Sequence, residues 1–165
     1  MRNIIFRKLF LILLAISFAV SCGSPAKNEQ NVPDESAVDR EQARQLSDKV
    51  VEDFKNRSYA ALRADTETSF REANSEDQFR QMVNKMDFAF GKLTEAEFKF
   101  DEYSFEVDAK KQKRPMRKFW YAVKTAKHEK GTHFFFVNVV RDADRLAASE
   151  FSIVNFPQGV PPQLK

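Results

Sequence analysis

At Leu93 the spacing of apolar side chains changes period, and that change sets what this chain can fold into. Upstream, Ala43, Leu46, Val50 and Phe54 recur at steps of three and four, one stripe of an α-helix. This predicts a helix over residues 38–56, with Ser36 and Asp39 as its capping box. Asn56-Arg57-Ser58 breaks the run, and Ser58 is placed to cap a short helix carrying Tyr59 and Leu62. Residues 66–73 show no helical stripe, so Phe70 is expected to reach the core from a loop or short strand. Ser75 with Gln78 forms a second capping box ahead of Phe79, Met82, Val83, Met86 and Phe90, and Gly91 supplies the stop.

Downstream of Leu93 the period is two. Phe98 and Phe100 alternate with charges, then Tyr103, Phe105 and Val107 alternate in the opposite phase, which predicts a β-bulge at Asp101-Glu102. A basic turn over residues 110–115 leads to a strand over 117–127. A hairpin turn at 128–131, a very apolar strand over 132–141, a turn at 142–145 and a last strand over 146–156 complete the pattern. Helices followed by an antiparallel meander predict an α+β layer fold, two or three helices packed on a curved four-stranded sheet. The run His133-Phe134-Phe135-Phe136-Val137-Asn138-Val139-Val140 is apolar on both faces, as a central strand covered on both sides must be. Simple core filling is the first expectation for the second cover; a ligand, a second copy of the chain or a partner are the alternatives.

The formal charge of +3 belongs to the N-terminus. Residues 1–21 carry Arg2, Arg7 and Lys8 and no acid, which leaves residues 22–165 with as many basic as acidic side chains. A neutral domain lacks the footprint of a nucleic-acid binder. Residues 9–20 form an apolar run too short to span a bilayer core of about 30 Å, with the flanks of a secretory signal. The next residues, Ala19-Val20-Ser21-Cys22-Gly23, resemble the lipobox of bacterial lipoproteins. The resemblance implies cleavage before Cys22, acylation of Cys22, and Ala19, Val20 and Ser21 as the cleavage context. Two other readings stand beside it: an ordinary signal cut after Ala19 or Ser21, and an uncleaved anchor. Cys22 is the only cysteine, so an internal disulfide is excluded. Gly23, in place of an Asp, favours the outer membrane in a Gram-negative cell. The expected organisation is therefore a signal peptide over 1–21, a lipidated Cys22 with a flexible tether over 22–37, a globular domain over 38–156 and a disordered tail over 157–165.

Several segments of that domain resemble the nuclear transport factor two-like, or cystatin-like, superfamily of cone-shaped curved sheets. They are Phe54, Tyr59-Ala60-Ala61-Leu62, Ser69-Phe70-Arg71, Ser75-x-x-Gln78-Phe79, Phe90-Gly91-Lys92-Leu93, and the hairpins over 121–136 and 136–151. The resemblance covers residues 38–156 and implies a cone. Because that fold hosts isomerases, hydratases, binding modules and structural subunits alike, it implies no single function.

The chemistry-bearing residues are sparse. His128 and His133 flank a hairpin loop, but two imidazoles without a third ligand predict no metal site. No nucleophile elbow occurs, and with 4 glycines in the chain there is no phosphate-cradling loop, so no cofactor is expected. For acid–base work the candidates are Asp101, Glu102, Tyr103 and Tyr121, with no Asp–His or Asp–Tyr dyad evident; a Phe-filled core with tyrosine hydroxyls at its rim is the simpler expectation. Lys110, Lys111, Lys113 and Arg114, continued by Arg117 and Lys118, form the densest basic run. They suit either a solvated hairpin tip or contact with an anionic surface. These observations favour a non-enzymatic envelope lipoprotein, held at a membrane by its lipid and binding an envelope protein or small ligand. A small acid–base enzyme and a structural homodimer are the alternatives.

Overall fold

The computed structural model describes residues 35–108, 110–130 and 133–156, all within the unit Pro33–Lys165. The expected signal peptide, Cys22, most of the expected tether and the expected tail over 157–165 lie outside the described residues. After a 3-10 turn at Glu35–Ala37 come α1 (Arg40–Asn56), α2 (Tyr59–Ala64), α3 (Thr68–Ala73) and α4 (Glu76–Phe90). Four strands follow: β1 (Leu93–Val107), β2 (Lys113–Thr125), β3 (His133–Asp142) and β4 (Arg145–Asn155). They form one antiparallel sheet in the order β1-β2-β3-β4, so the fold is α+β with the helices against a curved sheet.

Local chemistry explains the starts and stops. The cap of α1 is Asp39 alone, whose carboxylate accepts the Gln42 N–H at 2.8 Å; Ser36 belongs to the preceding 3-10 turn, which corrects the expected capping box. The box at Ser75 and Gln78 closes both ways, with Ser75 N–H to Gln78 Oε1 at 2.8 Å and Gln78 N–H to Ser75 Oγ at 3.2 Å. Gly91 ends α4 with φ of 84°, and a Cβ there would lie 2.8 Å from the Lys127 backbone nitrogen, so only glycine fits. Among the described residues there is one more helix than expected. Thr68–Ala73 forms α3 although Phe70 is its lone core-facing side chain. Tertiary contact substitutes for a stripe, since the Asp142 carboxylate accepts from both the N–H and the hydroxyl of Thr68 at 2.8 Å.

The bulge in β1 sits between Phe98 and Phe100, not at Asp101-Glu102. Inserting the extra residue at Lys99 turns Phe98 onto Tyr121 on the helix side and Phe100 onto Trp120 on the far side. Two further irregularities lie between Leu93 and Glu95 on β1 and between Asn138 and Val139 on β3, where Ser149 is the extra residue of β4. β2 also starts four residues earlier than expected, at Lys113.

The helix-facing core is a phenylalanine cluster. Phe54 lies 5.0 Å from Phe135, Phe135 stacks on Phe151 at 6.0 Å, and Phe79 meets Phe151 edge-on at 6.3 Å. These rings fill the space between helices and sheet where a cone would otherwise be open. On the far face Trp120, Phe134 and Phe136 are buried together, with Phe100, Val154 and Phe156 packed around them. β3 is thus apolar and covered on both faces, as its sequence requires.

Candidate functional site

Because phenylalanine occupies the interior, the clefts lie at its margins. An apolar cleft of about 310 Å³ runs along the edge strand β4. Phe70 of α3 and Met82 and Met86 of α4 form one wall, and Ala148 and Phe151 the other. One end is closed by Thr66, which makes a parallel bridge to Ala148; the Glu67 N–H donates to the Ala148 carbonyl at 3.0 Å, and the Ala148 N–H to the Asp65 carbonyl at 2.8 Å. Met82 remains 36% exposed at the mouth. Flexible thioether walls suit a cleft that adapts to its occupant. In the sequence Met82 and Met86 read as core stripe. Only the packing reveals that α4 stands far enough from β4 to leave them lining a gap.

A charged cluster adjoins this cleft at the end of the sheet. Arg114 of β2 donates to Glu67 at 3.0 and 2.7 Å and to Glu106 of β1 at 2.8 Å, while the Ser149 hydroxyl of β4 donates to Glu106 at 2.7 Å. Glu106 and Ser149 sit on opposite edge strands, so the sheet curls enough to bring its edges within one hydrogen bond. The Arg114 guanidinium holds the Glu67 carboxyl below its ordinary range against the opposing effect of burial. Arg114 is thereby absorbed in a structural ion network. Of the basic run, Lys110, Lys111 and Lys113 are exposed, whereas Arg117 is buried, donating to the Val38 carbonyl at 3.0 Å and to Asp101 at 3.2 Å.

The acid–base candidates separate. The side chain of Asp101 is 5% exposed and bound by both Arg40 and Arg117; Glu102 accepts from the Trp120 indole at 3.0 Å; Tyr103 packs edge-on against Phe105. Tyr121 does have an aspartate partner, which the sequence reading missed. Its hydroxyl lies 2.8 Å from both Asp48 Oδ1 and Ser47 Oγ. Asp48 lies on α1 one residue from buried Ser47, at the rim. Burial pushes the Tyr121 phenol up strongly; donation from Ser47 opposes this, and donation to Asp48 adds to it. Tyr121 therefore stays protonated as a donor. Asp48 also accepts from Arg44 at 2.9 Å, and the Arg44 guanidinium lies 3.4 Å above the Phe98 ring. Arg44, Asp48, Phe98 and Tyr121 border a second, more polar cleft of about 230 Å³.

His128 and His133 do face each other, their rings stacked 4.1 Å apart. Burial, and secondarily His128, lowers the His133 pKa. Among the described residues no group of three or more His, Cys, Asp or Glu side chains is placed to hold a metal, and no helix is long and apolar enough to cross a membrane.

No family model and no curated protein matches the chain. Among solved structures it is similar to ActVI-ORFA from Streptomyces coelicolor, with a TM-score of 0.42 and 12% identity over 70% of this chain and 95% of that one. A likeness of that degree says nothing about shared chemistry.

Proposed function

We propose that this chain is a lipid-anchored cell-envelope protein without catalytic activity, which takes an apolar small ligand or an apolar side chain of an envelope protein into the cleft beside β4. The observation that carries the reading is that cleft, walled by Phe70, Met82, Met86 and Phe151, with the interior behind it closed by phenylalanine. The lipobox-like Ala19-Val20-Ser21-Cys22 supports the anchor. Asp101, Glu102 and Tyr103 are engaged in structural contacts, which also favours binding over catalysis.

The test is native mass spectrometry of the full chain, extracted in mild detergent from its own cells, together with a photo-cross-linking amino acid at Met82. The expected result is a bound apolar mass, or a partner peptide joined at position 82, that is lost in Met86→Lys. A bare chain with no adduct at position 82 would reject the reading. A second reading rests on the Tyr121 and Asp48 pair beside its own cleft, the arrangement of an acid–base enzyme. It is the weaker one, because Asp48 already accepts from two donors and Tyr121 is held protonated.

A further inference from the structure

The chain enters the domain at the end of the sheet that carries the exposed lysines. The Ala37 carbonyl accepts from Arg141 Nε at 3.0 Å, and the Val38 carbonyl from Arg117 Nε at 3.0 Å. Arg141 is the penultimate residue of β3, next to the turn into β4, and Arg117 lies four residues from the start of β2. The β1–β2 turn projects from this same end, whereas Gly91 and the histidine pair lie at the other. The turn is well braced. The Asp108 carboxylate accepts the N–H groups of Lys110 and Gln112 at 2.9 and 2.8 Å, and Lys111 takes a left-handed φ of 61°.

That bracing commits the Asp108 carboxylate to backbone and presents Lys110, Lys111 and Lys113 to solvent, with no carboxylate paired to them among the described residues. Lys113 Nζ lies 4.6 Å over the Phe105 ring and keeps its charge exposed. Across the ladder from Lys113 stands Val107, 67% exposed, one of the few large apolar side chains of the domain facing water. An outward valine opposite one lysine, with two more exposed lysines in the same turn, fits a surface that is anionic outside and apolar beneath.

We propose that this end of the domain docks on an anionic phospholipid bilayer, with Val107 among the headgroups and Lys110, Lys111 and Lys113 on the phosphates. The inference rests on the lipid-anchored reading above, and the tether strengthens it. Fourteen residues lie between Cys22 and Ala37, so even at full extension the chain keeps Ala37 within about 50 Å of the acylated cysteine. They join the domain at this end, so the anchor holds the turn at high effective concentration beside the bilayer. Three lysines favour the docked state by about 100-fold at low salt, an advantage that vanishes when the Debye length shrinks.

The experiment uses the full acylated chain in vesicles of brominated phosphatidylcholine, without or with about 30% phosphatidylglycerol. Trp120, the only natural tryptophan, is 6% exposed and serves as the silent reference, and Val107→Trp supplies the reporter. In anionic vesicles the new tryptophan is expected to lose about half its emission to the brominated chains. The loss should disappear in neutral vesicles, in about 1 M salt, and in the triple variant Lys110→Glu, Lys111→Glu, Lys113→Glu. If the protein floats with vesicles of both kinds but the reporter is never quenched, the docking surface is wrong while the anchor stands. Equal quenching in neutral and anionic vesicles also overturns it, because the lysines would then contribute nothing. A reporter shielded from aqueous iodide but untouched by bromine would assign this end to contact between protein copies, again against the proposal. A chain that never floats overturns the anchor, and the docking with it.

Discussion

Arg114 is the side chain whose replacement most directly tests how the sheet is held closed. Its guanidinium lies between Glu67 and Glu106, and Glu106 in turn reaches Ser149 on the opposite edge strand. Arg114→Met keeps the stem and removes the charge, leaving two carboxylates with side chains 15% and 21% exposed facing each other. Breaking a fully buried ion pair this way costs about 3–5 kcal/mol; with the residual exposure here, about 2–3 kcal/mol is expected. For a domain of this size that lowers Tm by roughly 8 °C. Urea unfolding of the full chain, followed by the emission of Trp120, measures it directly. The pH dependence gives the sharper result. In the native protein the Glu67 carboxyl is held below its ordinary range, so its contribution is present at neutral pH and is lost as pH falls through the folded pKa. Without Arg114 the two carboxylates repel, and one binds a proton more readily than the unfolded chain does. The variant therefore recovers relative to the native protein towards acid, and the gap is widest near about pH 7 and narrowest near about pH 4. Adding Glu67→Gln should restore about half the loss by removing that repulsion. A gap below about 0.5 kcal/mol, or one that does not change with pH, would mean that this cluster is an ordinary solvated ion pair and the reasoning fails.

Cys22→Ala is expected to release the protein from membranes into a soluble fraction; a variant that still sediments and resists salt would remove the lipid assignment. Gly91→Ala forces an L side chain into φ of 84° and against the Lys127 backbone, so a loss of more than about 1 kcal/mol is expected in the same urea titration. Burial keeps His133 neutral in the fold, so the unfolded chain takes up the proton first, and stability should decline as pH drops below about 6.5. His133→Gln should flatten that decline, and an unchanged slope would place the titration elsewhere.

Much of the architecture was legible because it follows from short-range rules. The Ser75 and Gln78 box, the glycine stop at 91 and the doubly apolar β3 are each set by neighbours in sequence. The misreadings share one cause. α3 depends on Asp142, which lies 74 residues away, and Asp39 displaces Ser36 as cap because the preceding residues are pinned to β2 and β3. The bulge moved to Lys99 because Phe98 and Phe100 each found an aromatic partner, on opposite faces of the sheet. The candidate site was the least legible. Met82 and Met86 carry the same helical signal whether they pack or line a gap, and Asp48 resembles any solvated acid until Tyr121 is placed beside it.

By itself the sequence determined the order of helices and strands, the α+β class and the phenylalanine core, because hydrophobic period and turn chemistry are local properties of the chain. It also supplied the lipobox-like signal, which lies in consecutive residues. Only the tertiary structure decided which charges are spent and which are free. Arg114 and Arg117 lie in the same basic run as Lys110 and Lys111, and what separates them is the acid that the curled sheet and the incoming chain bring within reach. Glu67 lies 47 residues from Arg114, and Asp101 lies 16 from Arg117; such ion pairs form only where folding has already met the entropy cost of bringing the partners together.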